Sequence, residues 1–156
     1  MFTAPLLIAL AAPAFTQEST REDFKEYCRL LQGRWVGDVT WVADWPGFGK
    51  KGEKVTAYCE TKIVEDGNVM IQRFFGGPGS GTGLYAYDAT VKQIRLMWAD
   101  SAGAMSQGIV FKKEGKWCEK ASGSLADGTK TQGVSILTIT GNGKTFTWTG
   151  TGSVGG

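Results

Sequence analysis

The chain has 156 residues and a mass of 16.8 kDa, with a formal net charge of +2, 23 glycines, 42% hydrophobic residues and no histidine. That length makes a single domain able to bury a core, and abundant glycine without a collagen period, beside so many apolar residues, points to a turn-rich β protein. The missing histidine excludes Ser-His-Asp and Cys-His nucleophiles, His-ligated haem and the usual catalytic zinc sites, and the absence of a long basic run leaves no footprint for nucleic acid.

Residues 4–15 form an apolar run, too short for a membrane span of about 20 residues. Ala12 and Ala14 give it an Ala-x-Ala cleavage pattern, so residues 1–17 read as a signal peptide and the protein as secreted or periplasmic. No Lys or Arg precedes the run, the one departure from a typical leader. The folded domain is expected over residues 18–156.

Ser19 and Glu22 have capping-box spacing, and Phe24, Tyr27, Cys28 and Leu31 follow at i, i+3, i+4 and i+7. This predicts a helix of about three turns, stopped by Gly33 and lying over one end of a sheet. From Gly33 onward the chain reads as strands and tight turns. Trp35, Val39 and Trp41 alternate with Val36, Asp38 and Thr40, and Val55, Ala57, Cys59, Thr61 and Ile63 alternate with Lys54, Thr56, Tyr58, Glu60 and Lys62. Between them the Trp45–Phe48 loop either covers a barrel mouth or packs as an ordinary loop.

Asp66-Gly67 is a hairpin signal leading to a strand at 69–75, in which either Ile71, Arg73 and Phe75 or Met70, Gln72 and Phe74 point inward. Further strands are expected at 83–88, 94–98, 105–112, 116–122, 134–140 and 145–149, joined by short Gly turns. The whole predicts an all-β, antiparallel up-and-down barrel of nine to ten strands with one N-terminal helix. Residues 150–156 read either as a tail or as the end of a fragment lacking a closing strand.

The glycine stretches carry no nucleotide chemistry. Gly141-Asn142-Gly143-Lys144-Thr145 leads into Thr-Phe-Thr-Trp rather than a helix, and Gly79, Gly81 and Gly83 open no helix either. Cys28, Cys59 and Cys118 are read as structural: Cys59 inward, Cys118 outward with Lys116 and Lys120, and Cys28 on the helix's buried face. Neither a metal site nor a cofactor is indicated. The recurrent strand aromatics either fill the barrel or line a ligand cavity. The candidate lining comprises Trp35, Trp41, Arg73, Phe75, Tyr85, Arg95, Trp98 and Trp148, with the two arginines as polar anchors; no catalytic residue is assigned.

Gly33-Arg34-Trp35 after an amphipathic helix resembles the first-strand motif of lipocalins and other calycins. Gly81-Thr82-Gly83-Leu84-Tyr85-Ala86-Tyr87-Asp88, Met97-Trp98-Ala99-Asp100-Ser101 and Phe146-Thr147-Trp148-Thr149-Gly150 are similar to a bacterial family of lipocalin-like barrels whose function is not established. The resemblance covers about residues 30–156. It implies a calycin-type barrel with Trp35 as its plug and room for a small apolar ligand, supplies no catalytic residues, and implies a further strand beyond the last Trp-x-Gly. The expected function is therefore non-catalytic binding of a small hydrophobic molecule. The alternatives are a structural or interaction barrel with a filled core, and a His-independent isomerase, cyclase or hydrolase built around a buried carboxylate or Tyr beside Arg73 or Arg95.

Overall fold

A computed structural model describes residues 17–155. The expected leader lies, Gln17 apart, outside the described residues. One helix, α1 (Arg21–Leu31), is followed by nine strands: β1 (Gly33–Thr40), β2 (Lys54–Val64), β3 (Val69–Gly76), β4 (Gly79–Asp88), β5 (Gln93–Asp100), β6 (Met105–Lys113), β7 (Lys116–Ser124), β8 (Lys130–Thr140) and β9 (Thr145–Val154). They form one antiparallel sheet in sequence order, each strand bonded to the next. The sheet curls into a half-barrel, so the fold is the all-β up-and-down arrangement with one N-terminal helix.

The helix starts one residue later than its spacing suggested. Thr20 is the N-cap: its Oγ1 accepts from the Asp23 backbone at 3.0 Å, and Asp23 Oδ2 accepts from the Thr20 backbone N–H at 2.7 Å. Ser19 instead anchors the helix to the sheet. Its Oγ donates to Val110 O at 3.0 Å and its N–H donates to Lys92 O at 2.8 Å. Thr20 outcompetes Ser19 as cap because Ser19 is buried against the sheet and Thr20 is free to turn to the helix end. The chain leaves the helix through Gln32, and Gly33 takes a φ of +123°, a region that disfavours side chains.

The predicted face of Phe24, Tyr27, Cys28 and Leu31 is buried in full, against Met70, Tyr85, Ile94, Leu96, Val110, Trp117 and Leu137. The helix thus plugs one end of the hollow. Strand register then fixes which face every other residue takes, because directly opposed residues share a face. Cys59, Thr61 and Ile63 oppose Phe74, Gln72 and Met70, which oppose Gly81, Gly83 and Tyr85, and these in turn oppose Asp100, Trp98 and Leu96. The β3 alternative is resolved in favour of Met70, Gln72 and Phe74.

Two glycines make room for one tryptophan. A Cβ at Gly81 would lie 2.0 Å from the Trp98 ring and one at Gly83 3.2 Å from it, so the indole lies flat on bare backbone. Across β6–β9 three glycines sit tight against the backbone of a neighbouring strand. A Cβ at Gly108, Gly123 or Gly152 would fall 2.1, 2.0 or 2.3 Å from a carbonyl oxygen of the adjacent strand.

Candidate functional site

Above the helix plug the concave face stays open to solvent. Cys59, Gln72, Phe74, Trp98, Glu119 and Ser135 are each half-buried there, while Trp148, on the same face of β9, is 60% exposed. The floor of this hollow is polar. Tyr27 Oη of α1 donates to Glu119 Oε1 of β7 at 2.5 Å. Tyr85 Oη of β4 lies 3.4 Å from the same oxygen and 3.3 Å from Gln72 Oε1. The indole of Trp148 also lies beside Glu119, and Gln72 lies beside Cys59, whose Sγ is 3.9 Å from Thr61 Oγ1. The helix, β4 and β9 therefore each bring a side chain to one carboxyl group on β7.

Burial pushes the Glu119 carboxyl above its ordinary range, and the hydrogen bonds from Tyr27 and Tyr85, with the indole of Trp148 nearby, only partly oppose this. The phenols of Tyr27 and Tyr85 are held well above theirs, by burial first and then by the charge of Glu119. Both rings are buried: Tyr27 meets Trp117 at 4.9 Å between centroids and Tyr85 at 5.9 Å. All three cysteines are free thiols. Burial raises Cys59 and takes Cys28 to about 11, so neither is a thiolate at neutral pH. Cys118 faces outward as read, yet it is buried there beside Ile109 and Phe111.

Five of the eight expected lining residues share the concave side. Trp35 lies at the plug, its Nε1 donating to Leu31 O at 2.9 Å. Tyr85 is on the floor and Trp98 and Trp148 are walls. Trp41 belongs to the far end, where its ring packs 5.5 Å from Phe48 and 6.5 Å from Phe74. Phe48 comes from the 41–53 loop and is buried, so this loop closes down on the far end of the hollow rather than standing off it. Trp45 Nε1 at 3.4 Å from Asp100 Oδ2 pins it to β5.

Arg73, Phe75 and Arg95 stand on the convex face and line nothing inside. Arg73 and Phe75 oppose Glu60 and Tyr58, and the Arg73 guanidinium lies 5.2 Å over the Phe75 ring. Arg95 opposes Ala86 and Ile109 and donates to Gln93 Oε1 at 3.0 Å. The reason is parity: Arg95 is three residues from Trp98, and residues three apart on a strand face opposite ways. Glu119 was missed, although the signal was present, since it alternates with Cys118 and Lys120 and shares a face with Trp117.

A second concavity, about 590 Å³, lies on the convex face between Met97, Met105, Gln107, Ser122, Lys130 and Gln132. It holds no cluster of titratable groups and is separate from the Glu119 hollow. Among the described residues no group of three or more His, Cys, Asp or Glu is placed to hold a metal, and no helix is long and apolar enough to cross a membrane. No family model, curated protein or solved structure matches the chain.

Proposed function

We propose that this protein binds a small, largely apolar molecule in the hollow of its curled sheet and does not transform it. One observation carries the reading: a large aromatic side chain, Trp148, is 60% exposed on the concave face immediately beside a carboxyl group sunk among two phenols. Apolar walls with a few convergent polar groups are the composition of small-molecule sites. Arg73 and Arg95 stand on the outside, which removes the motive for an isomerase, cyclase or hydrolase built around a carboxylate or Tyr beside them. A calycin-type, lipocalin-like identity and export from the cytoplasm belong to the same proposal. Sequential strand order and a tryptophan bonded to the end of the plug helix support the first; the Ala-x-Ala run supports the second.

Titration with the apolar dye Nile red tests it. Saturable binding that weakens at least tenfold in Trp148→Ala, with an unchanged melting temperature, is expected. Equal binding by the variant, or no saturable binding by either protein, overturns the reading.

A further inference from the structure

Charge is sorted between the two faces of this sheet. The chain as a whole is net positive at +2, yet the strand positions facing the hollow carry two acids, Asp100 and Glu119, and a single base, Lys112. Lys112 is already committed at the plug. Its Nζ pairs with Glu26 Oε2 at 2.5 Å and Asp23 Oδ1 at 4.0 Å, and sits 4.9 Å over the Trp117 ring. Asp100 is committed too, since it accepts from the backbone of Ala102 and Ala104 and from Trp45. Among the described residues the groups that meet Glu119 are neutral: the hydroxyls of Tyr27 and Tyr85, with the indole of Trp148 beside them.

A buried carboxylate held by neutral donors alone lacks the counter-charge that would offset its desolvation. Gln72 Oε1 adds a further acceptor beside it, 3.3 Å from Tyr85 Oη. The accessible wall is an indole, the ring whose face attracts cations best. Resting on the proposed binding function, we infer that the ligand is an organic cation, a protonated or quaternary amine on an apolar body, whose charge is seated against Glu119 and the face of Trp148.

The titratable groups around Glu119 are Tyr27 and Tyr85, which bond it, with Cys28 beside Tyr27, Cys59 beside Tyr85, and Lys112 at the plug. The four inner ones are acids that are neutral at and below neutral pH, so Glu119 is the group that changes charge when a cation arrives. Seating the cation then expels a proton wherever Glu119 is protonated in the free protein.

The test uses the full chain and three probes of similar size: phenethylammonium, phenethyl alcohol and phenylpropionate. Calorimetry should give the ammonium at least tenfold tighter binding than the alcohol and no binding of the acid. Binding below neutral pH should release a proton, read from the change in heat between buffers of different ionisation enthalpy. Glu119→Gln should bring the ammonium down to the level of the alcohol and abolish proton release, and Trp148→Phe should retain the preference that Trp148→Ala loses. Equal affinity for all three probes, or a preference that survives in Glu119→Gln, overturns the inference while saturable Nile red binding leaves the binding function standing. Tighter binding of the acid overturns it in favour of a protonated Glu119 that donates to an anion. Absence of both probe and dye binding overturns the two together.

Discussion

Trp35 and Phe146 meet edge to face with their ring centroids 4.8 Å apart, although β1 and β9 share no backbone pairing among the described residues. The half-barrel is therefore drawn together at its plugged end by side chains alone. The Trp35 indole also ties this contact to the last turn of α1 through Leu31 O, so helix, first strand and last strand meet at one ring.

Replacing that ring separates its two roles. Trp35→Phe keeps an aromatic contact and loses the bond to Leu31 O, which should cost about 1 kcal/mol. Trp35→Ala should cost about 3 kcal/mol, near the lower end for aromatic truncation because the side chain is only half-buried. Urea denaturation of the two variants and of Phe146→Ala measures this. A double-mutant cycle that finds no coupling between positions 35 and 146 would disprove the seam.

Gly81→Ala puts a methyl group where the Trp98 ring lies, 2.0 Å from its nearest atom. A loss of about 2 kcal/mol is expected, in the range for overpacking. Combining it with Trp98→Leu should recover part of that loss, and simple additivity would show that the clash is relieved elsewhere.

The pH dependence follows from Glu119. Its folded-state pKa is raised above the ordinary 4.5 by burial, so its contribution to stability is fully present below that value. It is lost as pH rises through the raised one, at about 1.4 kcal/mol for each unit of the shift. Glu119→Gln lacks this loss. The stability of the wild type relative to the variant should therefore fall steadily from mildly acid toward neutral pH. A difference that is flat, or that grows with pH, contradicts the assignment.

At the helix start, Thr20→Ala removes the cap to Asp23 and should cost about 1 kcal/mol. Ser19→Ala leaves the helix cap intact but deletes a buried bond to Val110 O, so it should cost a similar amount. Helix content by far-ultraviolet circular dichroism near the transition tells them apart. Only Thr20→Ala should fray α1 before the sheet melts.

Much of the fold is written in local pattern. The helix face, the nine strands and the inward set of β2 follow from periods of 3.6 and 2 that neighbouring elements did not override. β3 could not be assigned this way, because Ile71, Arg73 and Phe75 match Met70, Gln72 and Phe74 in bulk and polarity. Only pairing with Cys59, Thr61 and Ile63 decides between them. The site lay beyond local pattern for a different reason. Tyr27 and Glu119 are 92 residues apart, and their meeting depends on the helix entering the hollow at a particular depth. Glu119 looked like one more strand charge until its partners were known, whereas Arg95 looked like an anchor only while its parity with Trp98 was ignored.

The seam between Trp35 and Phe146 has a mechanical consequence. A continuous barrel can widen only by breaking main-chain hydrogen bonds, whereas a split ring changes its bore by flexing at the split. Here the split is fastened by one aromatic contact among the described residues, with Trp148 two residues farther along the same strand and beside Glu119. The gauge of the hollow and the position of Trp148 therefore hang on the same seam.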